Sequence, residues 1–282
     1  MDKQEIKKLQ VMAYQIRKDA ITAVYSAQSG HPGGSLSIAE VLSVLYFHEM
    51  NIDPAAPQDP DRDRFVLSKG HCSPALYGAL AERGYFPKED LVTFRQADSY
   101  LEGHPDKKKI PGVDMSSGSL GQGISAANGM ALAGKMDHKD YRVYTILGDG
   151  ELEEGQVWEA AMYAAHYQLD HLTAFVDFNR LQIDGEVEQV MSPLPIDQKF
   201  EAFGWNVLTV DAHDVEQIQE AIEQAKRTKG KPTVIILNSV KGKGVSFMEN
   251  QAGWHGSAPN KEQYELAISE LDAKIKELEA QA

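Results

Sequence analysis

The sequence predicts an α/β fold built on a mostly parallel sheet flanked by helices. Three observations predict it. Between residues 141 and 238, apolar runs of strand length alternate with helix-like segments, the pattern of βαβ units. Two of those runs give way to polar chain at their carboxyl ends, at Gly148-Asp-Gly150 and at Asn179-Arg-Leu181, where open α/β sheets hold ligands. Residues 3–28 carry Ile6, Leu9, Val11, Ile16, Ile21 and Val24 as a broad apolar face at helical spacing, suited to packing on such a sheet.

The elements follow in order. Ser29-Gly-His-Pro-Gly-Gly34 breaks the first helix, and Ser37 with Glu40 reads as a capping box before a second helix over 38–47. The Pro/Asp-rich stretch 53–63 is a loop. Residues 64–68 form a short strand stopped by Lys69-Gly-His71. Helices are expected over 73–83 and, entered through Pro87, over 88–96. Residues 98–122 make a connection long enough to be functional or disordered. A helix of small residues covers 124–136. Strands at 141–147, 172–178, 205–210 and 233–238 then alternate with helices at 156–167, 192–202 and 215–227. Residues 262–282 form a charged helix whose apolar side (Tyr264, Leu266, Ile268, Leu271, Ile275, Leu278) can pack on the domain or on a partner.

Composition excludes several function classes. The net charge of −14 opposes nucleic-acid binding through the overall field. No apolar run approaches the ~18 residues of a membrane span, and the charged start MDKQEIKKLQ lacks the apolar core of a secretory signal. The single Cys72 allows no internal disulfide. A cytoplasmic protein that binds neither membrane nor nucleic acid is expected. An anionic ligand must find local compensation here: a metal, oriented backbone N–H groups, and a few His or Lys side chains.

Asp149 follows one predicted strand and Asn179 the next, so parallel neighbours bring both to one sheet edge. A carboxylate, an amide oxygen and one main-chain carbonyl suit a hard cation such as Mg2+, with ligand phosphate oxygens completing the shell. The helix beginning near Gln156 offers N–H groups to anions. Taken alone, Gly148-Asp-Gly150 reads more readily as a tight turn; the spacing to Asn179 favours the ligand site. Glu151, Glu153 and Glu154 at a helix entrance also suit the helix dipole for structural reasons.

Of nine His residues, three directly follow Gly: His31, His71 and His104. A fourth, His255, lies between Trp254 and Gly256. All four fall in expected loops, where an imidazole can serve proton transfer near neutral pH or simply be solvated. The other five sit in ordinary helix or strand patterns and read as structural. There is no CxxC, HExxH or close His pair for zinc, and no G-x-S-x-G elbow. Lys241, in Lys241-Gly-Lys-Gly244, can reach a phosphate from a strand end or lie in solvent.

These motifs resemble a known family. Gly148-Asp-Gly150 followed by Asn179 looks like the thiamin diphosphate signature. SGHPGGSLS at 29–37, DRFVLSKGH at 63–71, GHP at 103–105, SSGSLGQG at 116–123, GDGELEEGQVWEA at 148–160, EAFGW at 201–205 and WHG at 254–256 resemble, in order, the amino-terminal domain of transketolase. The resemblance implies a three-layer thiamin diphosphate-binding fold over residues 1–260, followed by the amphipathic helix 261–282. It implies that Asp149, Asn179 and the main-chain oxygen of Leu181 hold Mg2+, or Ca2+ or Mn2+ in its place. Gly150, His71, Asn179, Lys241 and His255 would contact the cofactor, and Gly118, Ser119 and Leu120 its pyrimidine end or diphosphate. His31, His104 and His255 would face the sugar and move protons. Glu154 matches a cofactor-side acidic position and, with Glu159, acidic positions that communicate across the family's dimer interface.

The implied activity is transfer of a two-carbon ketol unit from a ketose or its phosphate to an aldose or its phosphate, in carbohydrate metabolism of the pentose phosphate kind. Two departures stand out. Gly34 replaces a Ser that some relatives carry near the cofactor, removing one hydrogen bond. Relatives of the common type are also more than twice this long, their second domain gripping the aminopyrimidine and supplying an activating Glu. The expectation is therefore the amino-terminal subunit of a split transketolase, active only with a separate carboxy-terminal subunit, in a heterotetramer built on a dimer. The initial Met and terminal amphipathic helix fit a natural gene product. Alternatives are half of a deoxyxylulose phosphate synthase-like or oxo-acid dehydrogenase-like enzyme, or a catalytically silent homologue.

Overall fold

The computed structural model describes residues 1–280. Along the chain lie α1 (Lys3–Ala27), α2 (Pro32–Leu36), α3 (Ala39–Val44), β1 (Arg64–Leu67), α4 (Ser73–Arg83), α5 (Gln122–Met136), β2 (Val143–Gly148), α6 (Gly155–His166) and β3 (Leu172–Phe178). There follow β4 (Leu181–Gln182), β5 (Gly185–Glu186), α7 (Val187–Val190), α8 (Ile196–Ala202), β6 (Asn206–Asp211), α9 (Val215–Arg227), β7 (Thr233–Asn238) and α10 (Lys261–Ala280). Local chemistry sets many of the ends. Asp2 caps α1 by accepting the Glu5 N–H at 2.8 Å. Asp214 caps α9 through the Glu216 and Gln217 N–H groups, and Gly84 closes α4 at φ +95°.

Five strands form one sheet in the order β1-β2-β3-β7-β6, every pairing parallel. Side chains alternate across it with period two. Phe65, Tyr144, Ile146, Phe175, Ile235 and Leu237 face a core shared with α1, α3, α4 and α9. Val66, Val143, Leu172, Ala174, Val176, Val234 and Ile236 face a second core shared with α5, α6 and α8. The result is three layers with apolar strands buried on both sides, as parallel sheets require. The chain runs outward from β1 to β3, jumps to the edge strand β6 and returns to β7, so β3 and β7 are neighbours at the point of reversal. Register places Gly148 beside Asp177 and Phe178 beside Asn238. The chain segments after β1, β2, β3 and β7 therefore leave the sheet side by side.

Several expectations need correction. The Ser37/Glu40 capping box does not form. Ser37 Oγ donates to Gly34 O and to Asp177, while Glu40 pairs with Arg17 at 2.6 Å and with His213. A buried cation and a buried carboxylate elsewhere in the fold outcompete the local cap. Within 29–37 the chain forms α2, which starts at Pro32, where the missing N–H costs nothing. The second helix is α3, continued by a wider π-type turn over Leu45–Glu49. The expected helix 88–96 is a 3-10 segment over Lys88–Thr93. The helix over 192–202 begins only at Ile196, after Pro193 and Pro195. The β4–β5 hairpin and α7 are additions to the expected elements, being too short to show a period. The expected helix 262–282 is α10; residues 281 and 282 lie outside the described residues. It packs along α1, with Tyr264 stacked on Tyr25 at 4.1 Å and Lys18 paired with Asp272 at 2.5 Å. The long connection 98–122 is tied down where Asp114 accepts from Arg62 and from the Phe65 N–H.

Candidate functional site

At the carboxyl edge of the sheet lies a cavity of about 270 Å3. Its lining gathers the segments after four strands. Lys69 and His71 follow β1, Gly148 ends β2 and Asp149 to Glu151 follow it, Asn179 and Leu181 to Ile183 follow β3, and Lys241 follows β7. His31 and Gly34 enter from the start of α2, Gly118 and Leu120 from the long connection, and His255 from the loop before α10. Of the residues singled out in the sequence, His104, Ser119, Glu153, Glu154 and Glu159 do not line it. His104 lines an adjoining open pocket with Arg95 and packs over Gly118, where an added Cβ would stand 3.1 Å from its ring. Ser119, Glu154 and Glu159 are exposed. Helix α6 contributes no residue to the lining; a 3-10 turn over Gly150–Glu153 intervenes, so the expected helix N-terminus is set back from the cavity.

Asp149 is almost fully buried. One oxygen accepts the Gly150 N–H at 2.9 Å and the other the Arg180 N–H at 2.6 Å. Burial and the neighbouring Asp177 charge push its carboxyl up to about 7. Asn179 Nδ2 donates to Asp177 at 2.9 Å, and Oδ1 accepts the Leu181 N–H at 3.1 Å. Lys241 donates to the Leu181 carbonyl at 2.7 Å, and its Nζ lies 3.0 Å from His255 Nδ1. An ammonium can only donate, so Nδ1 accepts and His255 carries its proton on Nε2. The three rings His31, His71 and His255 are mutual neighbours, with centroids 5.2–5.4 Å apart.

These imidazoles are neutral at physiological pH. Burial, then the Arg95, His104 and Lys241 charges, hold His31 down to about 4. Burial, then Lys241, His31 and Lys69, hold His255 down to about 3. His71 lies well below its ordinary value, from burial and the Lys69 charge, and burial and Arg95 lower His104. Lys241 is itself lowered by burial and forms no ion pair among the described residues. His31 Nδ1 is buried without a hydrogen-bond partner. A buried ammonium without an ion pair, in a cavity that also holds an orphaned imidazole nitrogen, fits an anionic ligand. Asp149, the Asn179 amide oxygen and the Leu181 carbonyl form the all-oxygen donor set of a hard cation. Among the described residues no cluster of three His, Cys, Asp or Glu forms another metal cage.

Sequence reasoning missed Lys69, Asp177 and Glu151. Asp177 interrupts an otherwise apolar strand, a signal that a buried partner must exist. It is fully buried and accepts from Lys69 at 2.5 Å, Ser37 at 2.7 Å, Asn179, and Ser239 through a short contact. Gly34 also has a packing reason to be Gly. A Cβ there would lie 2.8 Å from Cys72 Sγ and 3.4 Å from Lys69 Nζ. Gly34→Ser is expected to destabilise the fold by about 1–3 kcal/mol through overpacking. Cys72→Ala should relieve part of that cost, a coupling of about 0.5–3 kcal/mol between contacting residues. Urea unfolding of both single variants and the double variant measures it, and strictly additive effects would show that Cys72 is not the obstacle.

The family model "Transketolase, thiamine diphosphate binding domain" matches residues 8–276. The chain is 50% identical over 272 residues to the 6-deoxy-6-sulfo-D-fructose transketolase subunit SqwG of Clostridium sp. (strain MSTE9), covering 96% of this chain and 98% of that protein. It is 43% identical over 275 residues to one of the subunits of the apulose-4-phosphate transketolase of Phocaeicola vulgatus, covering 98% of each. A solved transketolase from Pichia stipitis superposes with TM-score 0.88 at 34% identity, covering 97% of this chain and 44% of that one. The chain thus spans less than half of that transketolase and nearly all of the two bacterial subunits. On this match, and on the cavity its motifs build, the chain belongs to the transketolase family, as its thiamine diphosphate binding domain.

Proposed function

We propose that this chain is the cofactor-binding, amino-terminal subunit of a split transketolase. It would transfer a two-carbon ketol unit between sugars or sugar phosphates once joined to a separate chain carrying the pyrimidine-binding half. One observation carries the reading: a hard-cation donor set, Lys241 and three neutral imidazoles share one cavity at the carboxyl edge of the sheet. The end-to-end likeness to proteins named as transketolase subunits supports the separate partner. Asp149, Asn179 and the Leu181 carbonyl would hold Mg2+, or Ca2+ or Mn2+, against the diphosphate. His71, Lys241, His255, Gly150 and the Gly118–Leu120 segment would hold the rest of the cofactor. When bound, thiamin diphosphate supplies a nucleophilic carbon and an electron sink.

This chain's own residues would position the sugar and handle protons. His31, neutral and with Nδ1 unpartnered, can accept a hydroxyl proton and return it; His255, which carries its proton on Nε2, would donate to a sugar oxygen, and His104 would exchange protons from the adjoining pocket. Ser119, Glu154 and Glu159, all exposed, would meet the cofactor or a neighbouring subunit. The assembly would be a heterotetramer built on a dimer. We propose a cytoplasmic location, with which the free, buried Cys72 is compatible. No helix among the described residues is long and apolar enough to cross a membrane.

The chain alone is expected to show no ketol transfer above background, and mixing with its partner should restore it. Transfer assays with and without the partner, recovered by pull-down from the native source, decide this. Robust transfer by this chain alone would overturn the split site. Pyruvate decarboxylation by the complex in place of ketol transfer would overturn the transketolase assignment.

A further inference from the structure

We propose that Glu151 is a positioning residue that locks together the three segments that carry the cofactor contacts. The inference rests on the function proposed above and adds a residue whose role neither the sequence motifs nor the mechanism assigns. The residue is 2% exposed and lines the cavity wall. One oxygen accepts the Gly121 N–H at 2.9 Å and, through a short contact, the Ser68 hydroxyl. The other accepts the Gly148 N–H at 3.0 Å. Ser68 directly follows β1, three residues before His71. Gly148 ends β2 next to Asp149. Gly121 closes the segment bearing Gly118 and Leu120 and stands at the N-terminus of α5, where a carboxylate is favoured.

All three partners are donors, so the site needs a group that only accepts. The spacing is also tight. Gly123 packs so closely on Ser68 that an added Cβ would stand 2.5 Å from its Cα, which leaves the β1 end and the start of α5 no slack. A carboxylate therefore does here what sheet hydrogen bonds cannot, joining an irregular loop to two strand ends in fixed register.

Two substitutions separate the clamp from mere charge. Glu151→Gln keeps the shape but turns an N–H2 group toward a backbone N–H. Glu151→Asp keeps the charge but is too short to reach all three donors. In both, amide hydrogen exchange of residues 116–121 should quicken at least about 10-fold in the cofactor-free chain, as expected when a local opening loses its hydrogen bonds. In the complex with the partner, the apparent KM for thiamin diphosphate should rise at least about 10-fold, in the range seen when supporting contacts behind a ligand shell are lost. The ketose KM at saturating cofactor should not move. A lowered unfolding midpoint with unchanged exchange and unchanged cofactor KM would overturn the proposal, leaving Glu151 a structural residue only. Should Glu151→Gln fail to fold, Glu151→Asp decides by the same two readouts. A wild-type complex that neither binds cofactor nor transfers ketol units would overturn the proposed function instead, while the exchange comparison still decides the clamp.

Discussion

Asp149→Ala is expected to weaken metal-dependent binding of thiamin diphosphate at least about 100-fold, beyond the 10–100-fold cost of losing an outer partner of a metal site. Asp149 is the one carboxylate in the proposed cation donor set; Asn179 and the Leu181 carbonyl are neutral oxygens. Removing it takes away the formal charge that draws a divalent cation out of water. The fold should survive. The carboxylate's partners are only the Gly150 and Arg180 N–H groups at the rim of a cavity, and its removal also relieves its repulsion by Asp177. Calorimetric titration of the reconstituted complex with cofactor, with and without Mg2+, measures the loss, and far-UV circular dichroism checks the fold. Equal affinity in variant and wild type at saturating Mg2+ would sink the metal assignment.

Asp177→Ala should cost about 3–5 kcal/mol of stability, the range for removing one partner of a buried ion pair. Lys69 and Asp177 are both buried from solvent and 2.5 Å apart. Burial disfavours each charge, and their mutual attraction overcomes it, holding Lys69 above its ordinary value and Asp177 below. The variant leaves an uncompensated ammonium, two hydroxyls and the Asn179 amide without their acceptor. Lys69→Met with Asp177→Leu removes both charges together and should recover much of the loss. Urea unfolding midpoints and slopes for the single and double variants measure this. A single variant within about 1 kcal/mol of wild type would mean that water reaches Lys69.

Much of the molecule was legible in its sequence. The strands at 172–178 and 233–238 and the helices at 73–83 and 215–227 match the structure to the residue. Their apolar periods are strong, and Pro74, Gly84 and Asp214 punctuate them. The short β4–β5 hairpin, α7 and the 3-10 turns were not legible, because two to six residues hold at most two helical turns or a single strand period. The capping-box expectation failed for a different reason. Ser37 and Glu40 have the right spacing, yet each finds a stronger buried partner 140 and 23 residues away. Local propensity yields wherever a buried charge must be satisfied.

The sequence by itself determined the alternating layers, the family, and most of the cavity's lining, because strand periodicity and loop Gly-His and Gly-Asp-Gly motifs are local signals. Only the tertiary structure decided which of those loops meet. It set His104 in the adjoining pocket rather than the main cavity, and left the N-terminus of α6, within a residue of its expected start, outside the lining behind a 3-10 turn. It also disclosed the residues that hold the site from behind: Lys69 with Asp177, Glu151 across three segments, and Cys72 against Gly34. Their meaning lies in contacts between segments 30 to 140 residues apart. No sequence period encodes such contacts; they arise when burial forces every charge and donor at the sheet edge to find a partner.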